Sequence, residues 1–193
     1  MSKPQTSSFQ SSTPPIQGML YHWLQTLVPV CVVIVLCLTL VGRVTAVDGD
    51  SMYPTLHHGD LMVVQSLGYT PQPGDVVIFA KPFRSFHGAI VKRVIAVGGQ
   101  TVRIDYTAGT VTVDGQLLEE PYLAEAMDIP WYDSSPVVEV TVPEGELFVM
   151  GDNRNGSNDS RDPELGTVDA RYVLGRAVLI LAPLSDFGLL PTS

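Results

Sequence analysis

Cysteine is nearly missing from this 193-residue chain: there are two, Cys31 and Cys37, and both fall inside one apolar run. Neither can staple the remainder, so disulfides do not explain its fold. Positive charge is also scarce, with 11 Lys and Arg against 20 Asp and Glu and a formal net charge of −9. All 20 acidic residues lie after Arg43, together with nine of the basic ones, so residues 44–193 carry −11 and residues 1–43 carry +2. A domain that acidic is excluded from wrapping nucleic-acid phosphates, which needs clustered Lys and Arg. Beyond the apolar run there is no long 3.6-residue periodicity and no repeat of fixed period, so the rest should be mainly β. The length leaves room for one anchor and one compact domain. With 45% apolar residues, that domain can bury a sizeable core.

From Leu24 to Gly42 the sequence LQTLVPVCVVIVLCLTLVG runs 19 residues without a charge. At about 1.5 Å per residue, such a helix matches a hydrocarbon core of about 30 Å. Pro29 sits near one end, and a membrane helix tolerates the kink. Tyr21 and Trp23 border one side as interfacial aromatics do, with His22 between them, and Arg43 marks the other. Two readings stand: a retained anchor, or a signal peptide cleaved near Thr45 and Ala46. The long, weakly basic leader and the absence of a clean small-x-small site favour the anchor. Residues 1–18, rich in Ser, Thr, Gln and Pro, read as a flexible tail. The division expected is a tail over 1–23, a transmembrane helix over 24–42 and a β-rich domain over 43–193.

Past Arg43, short apolar runs are broken by Gly, Pro and Asp. Candidate strands are Val44–Val47, Leu61–Gln65, Asp75–Phe79, Ala89–Val97, Val102–Asp105, Thr110–Val113, Val137–Val142, Leu147–Met150 and Arg176–Leu181. Asp114-Gly115 predicts a tight hairpin leading into Gln116–Leu118, because a type I′ turn needs positive φ at both central residues. The acidic, proline-punctuated stretch 119–136 reads as a surface excursion.

Three stretches could carry chemistry. In Asp48-Gly-Asp-Ser-Met-Tyr-Pro-Thr-Leu, Ser51 sits among small, turn-prone residues, and Pro54 stiffens the exit by biasing Tyr53 toward extended conformations. The bland reading is a serine in an ordinary turn. In the strand Ala89–Val97, alternation puts Lys92 on one face with Ile90, Val94 and Ala96, and Arg93 on the other. An ammonium held among apolar side chains loses hydration, which favours the neutral amine, a base able to take a serine proton. The bland reading is a lysine snorkelling to solvent at a sheet edge. In Gly151-Asp-Asn-Arg-Asn-Gly-Ser-Asn-Asp-Ser-Arg161, the spacing fails as an EF-hand, since the third ligand position would be Arg154. Asn155 and Asn158 match the glycosylation acceptor pattern. Alternatively, Ser157, Asp159 and Arg161 build a charge-paired wall beside a site.

Taken together, Asp50-Ser-Met-Tyr-Pro-Thr-Leu, Val91-Lys-Arg-Val and Gly151-Asp-Asn-Arg through Ser157-x-Asp-Ser-Arg161 resemble the serine, lysine and C-terminal boxes of bacterial type I signal peptidases. They occur in the family's order, over roughly residues 40–190. Asp75-Val-Val-Ile-Phe and Leu174-Gly-Arg-Ala-Val resemble flanking family segments. The single apolar run and short middle region look most like Gram-positive and cyanobacterial members. The resemblance implies a signal-peptidase/LexA-like catalytic domain of coiled antiparallel β-sheets, with a small β insertion over about 99–145, preceded by one transmembrane helix.

It further implies a membrane-bound serine endopeptidase removing N-terminal signal peptides after small, Ala-x-Ala-like residues. Ser51 would be the nucleophile and Lys92 the general base. Ser157 would hydrogen-bond and orient the lysine amine, Asp159 and Arg161 would hold that loop, and Arg93 would be a lesser structural contact. Met52, Asp50 and Ile90 would line the substrate cleft. Where some family members carry a serine two positions before the nucleophile, this chain has Gly49. The oxyanion hole then rests on the Ser51 backbone N–H, with a backbone group or a water at Gly49 as a candidate second donor.

The partners implied are signal-peptide-bearing precursors and the lipid bilayer, with no nucleic acid, no metal, no cofactor and a monomeric enzyme. The placement implied is single-pass, N-terminus cytoplasmic and catalytic domain extracytoplasmic, in the cell membrane or, for a cyanobacterial source, a thylakoid membrane. Three rivals are a non-catalytic anchored β domain that binds exported chains, a self-cleaving repressor-type protease, and a Ser–His–Asp site drawing on His57, His58 or His87.

Overall fold

The computed structural model describes residues 16–40, 42–82, 88–129 and 135–190. A helix, α1 (Ile16–Leu40), leads into the β domain with Pro29 inside it. It starts eight residues before the uncharged run, so residues assigned to the tail are helical, while residues 1–15 of that tail lie outside the described ones. Side chains of α1 are described for Tyr21 and residues 23–35, all exposed. Among the described residues no helix is long and apolar enough to cross a membrane, a span needing about 20 residues.

Eight strands form one antiparallel sheet. They are β1 (Gly42–Ala46), β2 (Leu61–Gln65), β3 (Val76–Phe79), β4 (Ile90–Val97), β9 (Glu146–Met150), β10 (Val168–Asp169), β11 (Val173–Ala182) and β12 (Gly188–Leu189). Their order is β1-β2-β11-β3-β4-β9-β10, with β12 pairing on β11. A second, four-stranded sheet takes β5 (Thr101–Asp105), β6 (Thr110–Val113), β7 (Gln116–Leu117) and β8 (Val137–Thr141) in the order β7-β6-β5-β8. The Asp114-Gly115 turn has φ of +51° and +78°, as the hairpin reading requires.

β3 reads as a continuous apolar run because both of its faces are covered. Val76 and Ile78 join a core with Met52, Leu56, Met62 and Val64. Val77 and Phe79 join another with Val94, Val149, Leu165 and Val168. A third core welds the two sheets, packing Ile95, Ala96, Phe148 and Met150 against Val102, Ile104, Val111 and Val142.

Strict alternation along β4 fails after Val94. The pairing of β4 with β9 shifts register between Val94 and Ala96, so Ile95 and Ala96 enter the same core while Val97 packs with the Val94 core. An extra residue in one strand turns the following side chains to the other face and bends the sheet. Further shifts interrupt β11 at Val173/Gly175, Ala177/Leu179 and Ile180/Ala182, and these irregularities accompany its pairing with both β2 and β3.

Candidate active site

Ser51 sits in the loop between β1 and β2. Val47 N–H donates to Asp60 O at 2.8 Å and Gly59 N–H to Val47 O at 2.9 Å, closing the loop at its base. Met52 and Leu56, 1% and 0% exposed, pin it to the core. Gly49 takes φ +90°, a conformation open to glycine and strained for other residues, and the Tyr53–Pro54 bond is cis.

Lys92 projects from β4 and is 3% exposed. Its Nζ lies 2.6 Å from Ser51 Oγ and donates to Val91 O at 2.9 Å. Burial lowers the Lys92 amine from its ordinary 10.5 to about 8, opposed by Asp159 and Asp152 and assisted by Arg161. The lysine is thus neither a snorkelling surface residue nor a fully paired cation. Close to half of such amines are neutral near pH 8, and a neutral amine at hydrogen-bond distance can accept a hydroxyl proton.

The loop after β9 braces both partners. Asn153 N–H donates to Ser51 O and its Nδ2 to Asp50 O, each at 3.1 Å. Gly151 lies so close that an added Cβ would collide with Ser51 O and Ser157 Oγ. Asp152 accepts Arg93 Nε and Nη2 at 2.8 and 2.7 Å, and also the Thr55 hydroxyl. Arg93 donates to Gly74 O and stacks 4.0 Å from the Tyr122 ring centre. It is therefore a central buried brace rather than a lesser contact. One carboxylate links the strand bearing Lys92 to the loop bearing Ser51.

Asp159 accepts Gly151 N–H at 2.9 Å and Arg161 Nε and Nη2 at 2.8 Å each. Burial pushes its carboxyl up, but the charge and hydrogen bonds of Arg161, the Gly151 amide and Lys92 together hold it below the usual range. Arg161 also donates to Arg154 O.

Two expectations are corrected. Ser157 Oγ is buried without a hydrogen-bond partner among the described residues, so it does not hold the Lys92 amine here. Its place is taken by Val91 O, which comes from the backbone of β4 itself. The Gly49 amide is not free for an oxyanion either, because it donates to His58 Nδ1 at 3.1 Å.

A cleft of about 460 Å³ opens over the dyad, lined by Thr45–Met52, Met62, Ile78, Ala89–Lys92, Gly156 and Asn158. Asp50, Met52 and Ile90 are among its walls. β1 is an edge strand of the large sheet. β9 pairs with β4 only from Arg93 onward, so Ile90–Lys92 have no β9 partner.

His57 and His58 do not converge on Ser51. His58 faces Gly49 and Asp48, while His57 faces Asp60 and Asp186; His87 lies outside the described residues. His57, Asp60 and Asp186 offer atoms within 4.8 Å of one another, but none of them lines the cleft, and no ligand role is assigned to them. Asn155 is spent on Glu125, Ala126 O and the Asp128 amide rather than presented as a free acceptor. The sequence reading missed Asp152, Asn153 and Thr55. Their place beside matched motifs was the available signal, but partners 97 positions apart in sequence, as Thr55 and Asp152 are, leave no local pattern.

The family model described as signal peptidase, peptidase S26, matches residues 20–182. A signal peptidase I of Mycobacterium tuberculosis (strain CDC 1551 / Oshkosh) is 38% identical over 202 residues, covering 78% of this chain and 68% of that protein. A probable signal peptidase I-1 of Synechocystis sp. is 40% identical over 151 residues, covering 74% of this chain and 72% of that protein. A crystal structure of a signal peptidase I from Enterococcus faecalis V583 aligns with 31% identity and a TM-score of 0.43, over 59% of this chain and 98% of that one.

Proposed function

The chain belongs to the signal peptidase family, peptidase S26, and from that membership we propose how it works, residue by residue. It is a serine endopeptidase that removes signal peptides from precursor proteins. Ser51 is the nucleophile and Lys92 the general base. The observation that carries this assignment is a buried amine, depressed to about 8, lying 2.6 Å from a single hydroxyl.

The precursor segment before the scissile bond adds as an extended strand between the free edge of β1 and the start of β4. Main-chain hydrogen bonds supply the affinity. Side chains at alternate positions point into the cleft near Met52 and Ile90, where small residues fit. Neutral Lys92 takes the Ser51 proton, the Ser51 oxygen attacks the carbonyl carbon, and the tetrahedral oxyanion meets the Ser51 backbone N–H. The Lys92 ammonium then protonates the leaving amine, releasing the mature chain and leaving the signal peptide as an acyl ester on Ser51. Lys92, neutral again, activates a water that hydrolyses the ester. Neither metal nor cofactor enters this route.

Arg93–Asp152 and Asp159–Arg161 hold the walls. Residues 24–42 serve as a membrane anchor, with the N-terminus cytoplasmic and the domain over 43–193 extracytoplasmic as a monomer. Ser51 follows Arg43 by eight positions, a reach of at most about 29 Å, which suits substrates still tethered in the bilayer.

The deciding assay incubates the full-length protein with a signal-peptide-bearing precursor beside Ser51→Ala and Lys92→Ala. Cleavage by the native protein and its loss in both variants is expected. Native-rate cleavage by either variant overturns the dyad. A native protein that cuts no precursor turns the reading toward a binding module.

A further inference from the structure

One side chain next to the nucleophile loop has no part in the route above. Gly49 stands two positions before Ser51 at φ +90°, and its amide is held by His58 Nδ1 at 3.1 Å. His58 lies on the return limb of the same loop, beside the backbone pair between Gly59 and Val47 that closes its base. The bond therefore ties the return limb to the outgoing limb just ahead of the corner that presents Ser51 to Lys92.

Building on the Ser51–Lys92 reading, we propose that His58 is a positioning residue for the nucleophile, holding the Gly49 amide as a neutral imidazole and releasing it when protonated. An imidazole nitrogen accepts only while it carries no proton, and both nitrogens of an imidazolium are donors. Protonation at Nδ1 would set N–H against N–H at Gly49. Asp48 Oδ1 stands 3.5 Å from the same Nδ1 and receives the new charge instead. Among the described residues Asp48 is the charged group facing this imidazole, since His57 beside it turns to Asp60 and Asp186 at 3.9 and 4.0 Å. Freed from His58, Gly49 has the conformational latitude of glycine, and the corner loses its side-chain tie. Two protons, on Lys92 and on His58, then oppose catalysis on the acid side.

The test measures kcat and KM for precursor cleavage from pH 5 to 9 with the full-length native protein, His58→Leu and His58→Asn. The Asn amide oxygen accepts a hydrogen bond from about the Nδ1 position but does not titrate. His58→Leu is expected to lose about tenfold in kcat at pH 8 with KM within about twofold, the signature of a misplaced reacting group. His58→Asn is expected to recover most of that loss. Native kcat/KM should fall more steeply toward acid pH than that of His58→Asn, which keeps the single slope set by Lys92.

Superimposable native and His58→Asn profiles, or an Asn variant as slow as the Leu variant, would overturn the proposal. Should His58→Leu melt before assay, the native-versus-Asn comparison decides alone. Loss of cleavage in Ser51→Ala and Lys92→Ala alongside superimposable profiles sinks only the role of His58. Native-rate cleavage by either dyad variant removes the reading on which it rests.

Discussion

Lys92 and Arg93 are consecutive, both basic and both buried, at 3% and 1% exposure, yet the protein treats them oppositely. Arg93 receives a bidentate carboxylate from Asp152 and a backbone carbonyl, and stays a paired cation. Lys92 receives a hydroxyl and a carbonyl, with its acids at one remove, and holds its proton less tightly. A buried cation must be paired or neutralised, since the desolvation cost of an isolated one is several kcal/mol. One strand here holds both cases side by side: Arg93 is fully paired, and Lys92 is buried with its pKa lowered to about 8.

The comparison breaks most sharply at the reacting side. Ser51→Ala and Lys92→Met should each lower cleavage by at least about a thousandfold while melting near the native temperature, as loss of a reacting group does in other serine hydrolases. Activity within tenfold of native in Lys92→Met would remove the neutral amine from the mechanism.

On the pairing side the loss should appear in folding. Asp152→Ala strands the Arg93 guanidinium and is expected to cost about 3–5 kcal/mol by denaturant titration. Replacing both partners, as Arg93→Met with Asp152→Leu, should recover much of that. If the double change is as damaging as the single, pairing is not what Asp152 supplies.

Lys92 also makes stability depend on pH. The unfolded chain binds its proton up to about 10.5 and the folded chain only up to about 8, so the unfolded state holds more protons between those values. Stability should therefore rise across that window, by about 3 kcal/mol relative to Lys92→Met. A difference between the two that stays flat from pH 8 to 10.5 would show that burial does not depress this amine. For activity, Asp159→Asn removes the strongest influence raising the Lys92 pKa and leaves the Arg161 charge behind, so the acid limb should move to lower pH. Movement the other way contradicts the electrostatics described here.

The smallest effect concerns Ser157. Its hydroxyl is buried and without a partner among the described residues, so Ser157→Ala should leave folding stability within about 1 kcal/mol of native, on the neutral or stabilising side. A larger loss would mean that the hydroxyl has a partner in solution.

Much of this site was legible because its residues sit in short, ordered motifs. Ser51, Lys92, Asp159 and Arg161 stood out there, and the structure brings the first two within bonding distance and pairs the other two. Strand β2 and the Asp114-Gly115 turn were legible from apolar runs and turn chemistry. β10 and β12 were not, because two-residue strands carry no periodicity. β11 begins three residues before the expected strand Arg176–Leu181, since Gly175 interrupts the pattern but not the pairing. The shift after Val94 was invisible for a related reason: a bulge is settled by what the neighbouring strand offers.

The sequence by itself determined which chemistry was present: a hydroxyl, an amine among apolar neighbours, and acids for the remaining cations. Those follow from residue type and short-range spacing. Only the tertiary structure decided which cation is fully paired and which has its pKa lowered. Desolvation and pairing depend on atoms brought together from distant stretches, such as Asp152 against Arg93 and the Asn153 amide against Ser51 O. The same holds for the Gly49 amide, which as a bare glycine promised a free donor and in the folded loop is already occupied by His58.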